Sequence, residues 1–229
     1  SRPGGPTGCR RGTCVQPPAM HHMGAMAELP TAHALPLALL LASCVPVGDD
    51  DDSAAPPPEP TAWVLTAPSP GTSLGEDLAA MPDGGVVVVG AFADTITFDS
   101  GGANETALTS AGAFDVFLAR FGVDGSLLWA VQAGGADGDW GNAVATNAAG
   151  DVWITGRFSD VAVFGAGDPA EAQVTSQGAS DLFVARYDSD GVLQHVHSAG
   201  GNNDQVGTGV AVAGDGGAYV SGFVWADVT

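Results

Sequence analysis

An all-β fold built from repeated four-stranded antiparallel units is what the sequence predicts, on three observations. The stretch Gly150-Asp151-Val152-Trp153-Ile154-Thr155-Gly156-Arg157-Phe158 is a turn, a short β run and a glycine break, and it occurs three times. Its earlier copy begins at Gly84-Gly85-Val86-Val87 and its later copy at Gly216-Gly217-Ala218-Tyr219. The closing glycines Gly90, Gly156 and Gly222 are 66 residues apart at both steps, and equal spacing of this kind signals a repeat architecture. A second block obeys the same period: Asp115-Val116-Phe117-Leu118-Ala119-Arg120 returns as Asp181-Leu182-Phe183-Val184-Ala185-Arg186, and an Asp-Gly turn follows each. No helical 3.6-residue stripe runs through these repeats; β-branched and aromatic residues cluster between Gly, Asp and Asn turns instead.

Within one 66-residue unit these signals mark four strands, in the middle copy roughly 142–146, 152–158, 182–187 and 193–198. Asn147-Ala148-Ala149-Gly150 suits a tight hairpin, because glycine accepts the positive φ such turns need. Four antiparallel strands per unit, repeated radially, describe a β-propeller blade. A β-solenoid is the rival architecture, but its repeats are usually shorter. The chain thus reads as a partial propeller over residues 62–229, with two nearly complete blades and a third cut short at Thr229. Matched positions in successive copies, Phe117/Phe183 and Val88/Ile154/Val220, should be buried to the same depth. As written, such a chain is expected not to close a ring, and residues 60–229 alone to be marginally stable, oligomeric or aggregated.

Three features together resemble the SBBP family of bacterial β-propeller repeats. They are the opening from Gly141 to Ala145, the core Gly-Asp-Val-Trp-Ile-Thr-Gly, and the run from Thr175 to Ala185 that reads Thr-Ser-x-Gly-x-x-Asp-x-Phe-x-Ala. The resemblance implies a propeller, often seven-bladed, in secreted or envelope proteins. It implies no enzymatic activity and carries over no catalytic residue.

Upstream of the repeats the composition changes twice. Residues 1–19 hold Arg2, Arg10, Arg11, Cys9 and Cys14, match nothing downstream, and read as misassigned upstream sequence, with the start at Met20, Met23 or Met26. Residues 20–43 read as a signal peptide, since the apolar run from Ala34 to Ala42 is too short to span a bilayer. Leu41-Ala42-Ser43-Cys44 resembles the bacterial lipobox, which implies cleavage before Cys44 and lipid on its thiol. An ordinary secretory signal that happens to contain a cysteine is the alternative. Residues 44–61 then carry four consecutive Asp and several Pro, a charged, extended tether rather than a domain. Val45 follows the cysteine, a pattern that in lipoproteins of double-membraned bacteria implies the outer membrane.

The formal net charge is −20. Of the acidic residues only Glu28 precedes Cys44, whereas three of the six basic ones do, and Lys is absent. A mature chain this acidic repels phosphate backbones, so nucleic acid is excluded as a partner. Beyond Cys44 there is no further Cys, so no disulfide staples the blades.

Candidate chemistry in the repeats is thin. His195 and His197 share one strand face, as metal ligands sometimes do. Yet they occupy the positions of Trp129 and Val131 in the preceding copy, and those are packing positions. The turns at Asp124-Gly125, Asp137-Gly138-Asp139, Asp188-Ser189-Asp190-Gly191 and Asn202-Asn203-Asp204 offer oxygen ligands for calcium, but tight-turn chemistry accounts for the same residues. No nucleophile elbow or Cys–His pair is present, so no catalytic residue, cofactor site or metal site is assigned. The sequence predicts an envelope lipoprotein, lipidated at Cys44, whose propeller binds a protein or glycan ligand or acts as a scaffold. A fragment of a propeller-based extracytoplasmic glycan lyase or hydrolase, with its catalytic blades elsewhere, is the alternative.

Overall fold

The computed structural model describes residues 37–41 and 63–225. Cys44, the tether and residues 1–36 lie outside the described residues. The regular elements are all strands: β1 (Leu37–Leu41), β2 (Trp63–Ala67), β3 (Ser73–Ala80), β4 (Val86–Phe92), β5 (Thr95–Phe98), β6 (Thr106–Thr109), β7 (Asp115–Phe121) and β8 (Leu127–Gly135). They continue with β9 (Trp140–Thr146), β10 (Val152–Phe158), β11 (Val161–Phe164), β12 (Ala172–Thr175), β13 (Asp181–Tyr187), β14 (Leu193–Ala199), β15 (Gln205–Val212) and β16 (Ala218–Val224). Every strand from β4 to β8 has its counterpart 66 residues on.

The second repeat forms a four-stranded antiparallel sheet in the order β9-β10-β13-β14, and the first repeats that order as β3-β4-β7-β8. The third contributes the pair β15–β16. First strands of successive repeats lie side by side, β9 packing against both β3 and β15. Side chains tie them together: Val144 N–H donates to Asp77 Oδ2 at 2.9 Å, Thr146 Oγ1 to the Ala80 carbonyl at 2.7 Å, and Asn142 Nδ2 to the Gly207 carbonyl at 2.9 Å.

The first two units also each hold a hairpin that the four-strand reading lacks, β5–β6 and β11–β12. The second hairpin attaches to the outer strand of the preceding repeat through β8, extending that sheet to six strands. The first makes the equivalent approach to the end of β2, with Thr97 N–H donating to the Pro68 carbonyl. Its four-residue strands are short, but they alternate: Ile96 and Phe98, like Ala162 and Phe164, point inward and are buried. β1, from the apolar run, lies antiparallel to β2 with Leu39 opposite Leu65. That is the slot β7 holds against β8, where Leu118 faces Val131.

The interior repeats with the strands. One cluster contains Val86, Val88, Phe92, Phe98, Phe117, Phe121 and Leu127; the other contains Val152, Ile154, Phe158, Phe164, Phe183, Tyr187 and Leu193, each 66 residues further on. The ring pair Phe98–Phe117 (5.4 Å, 54°) recurs as Phe164–Phe183 (4.8 Å, 57°). Full burial of a phenylalanine contributes about 1.5–3 kcal/mol, so these rings dominate each unit's packing. Both faces of β4 are covered. Val86 and Val88 face one cluster and Val87 and Val89 the other, which explains an unbroken valine run in place of alternation.

Phe117 and Phe183 are buried alike, and so are Val88 and Ile154, as expected. Val220 is half-buried, because among the described residues β16 has a strand partner only on its β15 side.

The repeated glycine has a steric cause. A bulge at Gly75/Asp77, Thr155/Gly156 and Gly207/Gly209 pushes the first strand's carbonyl toward the second strand in each unit. A Cβ on Gly90, Gly156 or Gly222 would overlap the carbonyl oxygen of Leu74, Trp140 or Val206, respectively.

Candidate functional site

The carboxylates that make the chain acidic largely serve its turns. Asp124 Oδ1 accepts from the Ser126 N–H and hydroxyl, and Asp188 Oδ1 from the N–H groups of Asp190 and Val192. Glu105 accepts from Gly101 N–H and, one repeat later, Glu171 from Gly167 N–H. Hydrogen bonds from Ser126 hold the Asp124 carboxyl below its ordinary range. At these Asp-Gly turns, where the sequence offers calcium ligands, Asp124 Oδ1 and Asp188 Oδ1 accept from backbone N–H groups. Asp139 likewise accepts from Gly135 and Ser159 N–H, and Asp204 from the Ser180 hydroxyl. Among the described residues, no three His, Cys, Asp or Glu side chains are grouped to hold a metal ion.

His195 and His197 lie on β14, ring centroids 5.4 Å apart. His195 packs edge-on against Trp153 at 5.2 Å and stands opposite Arg186. Burial, then the neighbouring His197 and Arg186 charges, depress its pKa. A histidine held neutral against an aromatic ring fits the packing position that the repeat assigns to it.

The central residues of one further candidate site, Trp140 and Arg157, are ones sequence reasoning passed over. A cleft of about 630 Å³ opens where the second repeat meets the ends of its neighbours. It lies between two matching parallel bridges, Phe114 with Gly138 and Ser180 with Asp204. Arg157, on β10, is the direct cross-strand neighbour of Trp140 on β9, and its guanidinium sits 4.1 Å from the centre of the indole ring. Trp140 in turn stacks on Phe114, with centroids 5.2 Å apart and planes at 27°. The arrangement is a cation fixed on an aromatic platform at the mouth of a polar cleft.

Arg157 differs from the other two arginines of the described residues. Arg120 pairs with Asp83 at 2.6 Å and Arg186 with Asp151 at 2.8 Å, whereas Arg157 makes no ion pair with any of the described residues. Asp137 and Asp160 also line the cleft, and their side-chain oxygens accept no hydrogen bond from the described residues. The sequence does carry a signal for this site, and it lies in the departures from the repeat. Trp140 stands where the other copies have Leu74 and Val206, and Arg157 where they have Ala91 and Phe223. No protein-family model and no curated protein matches the chain.

Proposed function

We propose that residues 62–229 are part of a β-propeller carried by a lipid-anchored protein of the bacterial outer membrane, and that its blades serve as a binding or scaffold module. The observation that carries this reading is the 66-residue recurrence of both sheet order and core, from Val86 and Phe117 to Val152 and Phe183. Four-stranded antiparallel units with their first strands side by side are what radial repetition requires. The edge of β2 supports it too, since β1 pairs there as β7 pairs with β8, so β2 stands as the outer strand of a blade. The likeness of Gly141–Ala185 to SBBP repeats points the same way. The anchor rests on Leu41-Ala42-Ser43-Cys44, followed by an acidic, proline-rich tether that would hold the blades off the membrane. A cleft with an uncommitted cation and acceptors favours binding over a purely structural role.

Expression from Met20 in a Gram-negative host tests the reading. The protein should fractionate with outer membranes and take up labelled fatty acid, and Cys44→Ser should abolish the label. Wild-type protein that stays soluble and unlabelled would reject the anchor.

A further inference from the structure

The cleft beside Arg157 presents a defined set of unused groups. The guanidinium is oriented by Trp140 and Phe114, so its N–H fork is held in place while no carboxylate of the described residues pairs with it. A planar fork of this kind matches a carboxylate with two parallel hydrogen bonds. Around it stand the Asp137 and Asp160 carboxylates, which accept hydrogen bonds and donate none. Asp160 is fixed in a left-handed backbone conformation (φ 52°) at the β10–β11 turn, which sets its place on the rim. Gln177 adds an amide to the same wall.

We propose that this cleft binds a hydroxylated monocarboxylate of the sugar-acid type, its carboxylate paired with Arg157 and its hydroxyls donating to Asp137 and Asp160. The proposal rests on the reading of the blades as a binding module and names the class of ligand for it. Each alternative leaves part of the site mismatched. A dianion such as phosphate would meet one arginine and several carboxylates, Asp204 among them, so repulsion outweighs the single pairing. A neutral sugar satisfies the aspartates and leaves the guanidinium without its acceptor. A small amino acid would satisfy both charges but occupy only a fraction of a 630 Å³ cleft. The repeat itself supports a local function, because the units on either side place Ala91 and Phe223 where this unit has its cation.

The full chain can be titrated with D-glucuronate, D-glucose, L-alanine and inorganic phosphate, following tryptophan fluorescence and heat of binding. Glucuronate should bind in the millimolar range, as one good ion pair in an open site allows, with the other three at least about tenfold weaker. Arg157→Ala, which installs the residue the first repeat has at this position, should weaken glucuronate about tenfold or more. Arg157→Lys keeps the charge but not the fork and should lose most of that affinity. Glucose or alanine binding as well as glucuronate would overturn the proposal. So would an unchanged affinity in either variant, or no glucuronate binding up to about 100 mM. Membrane fractionation of the wild type and Cys44→Ser is independent of these titrations, so failure of the ligand class leaves the anchored-propeller reading standing.

Discussion

Asp115 and Asp139 meet across Gly134: Asp115 Cγ lies 2.7 Å and Asp139 Oδ2 2.8 Å from the point a Cβ on that glycine would occupy. Gly134, at φ 155°, leaves room for both carboxyls. Each side chain is only 1% exposed. Asp139 accepts from Gly135 and Ser159 N–H, and Asp115 Oδ2 from Ala111 N–H, which leaves the buried Asp115 Oδ1 without a partner. One repeat later Asp181 has the same Oδ2 bond, to Gln177 N–H, but Gln205 replaces the second acid and accepts from Gly201 N–H as Asp139 does from Gly135. An amide and a protonated acid are near-isosteres, each an acceptor that also donates. In both junctions the buried Oδ1 of the first acid, Asp115 or Asp181, has no hydrogen-bond partner among the described residues.

This pair makes stability depend on pH. Burial pushes Asp139 up to about 7, with the charges of Asp115 and Asp137 adding to it, and pushes Asp115 up to about 6. Both carboxyls bind protons more tightly in the folded chain than at the ordinary aspartate value of 3.8. Their contribution to stability is therefore complete below about pH 4 and is lost as pH rises through 6 to 7. Asp139→Asn should be more stable than wild type at pH 8 by about 1–2 kcal/mol, with the gain vanishing near pH 4. Urea unfolding at the two pH values checks this; equal differences at both would contradict it.

The bulge glycines should be the least replaceable small residues. Gly156→Ala drives a methyl into the Trp140 carbonyl and should cost about 2–4 kcal/mol. Gly214 has ordinary φ and open space around it, so Gly214→Ala should be neutral within about 0.5 kcal/mol. Denaturant midpoints of the two variants decide the matter, and similar losses would show that the steric account is wrong.

Equivalent core rings should carry equivalent energy. Phe117→Ala and Phe183→Ala each remove a fully buried ring that packs on Phe98 or Phe164. Each should destabilise by about 3–5 kcal/mol, and the two should agree within about 1 kcal/mol. A large disagreement between their unfolding free energies would mean that the two units do not pack alike.

A clamp joins the first two repeats at the Ser189 carbonyl, which accepts from both Arg120 Nη1 and Trp129 Nε1. Arg120→Met should cost about 1–2 kcal/mol through the lost charge-assisted bond. Combined with Trp129→Phe it should cost less than the two separate losses, since both serve one acceptor. A double-mutant cycle measures the coupling, and strict additivity would argue against a shared clamp.

Much of the fold is legible in the sequence because its period is written in residues with steric or packing roles. Gly90, Gly156 and Gly222 recur because a bulged carbonyl leaves no room for a Cβ, and Phe117 and Phe183 recur because each fills the same cavity between sheets. The hairpins β5–β6 and β11–β12 escape that reading. Their strands are four residues long, and Ile96 and Phe98 declare themselves as core only once the neighbouring sheet is in place. The turn roles of the aspartates follow from local backbone chemistry and can be read from Asp124-Gly125 and Asp188-Gly191 directly. The cleft and the carboxyl pair cannot. Trp140 and Arg157 are 17 positions apart, and Asp115 and Asp139 are 24 apart. Sequence determines which residues break the repeat, but only the pairing of β9 with β10, and the approach of β7 to the β8–β9 turn, bring those residues within reach of one another.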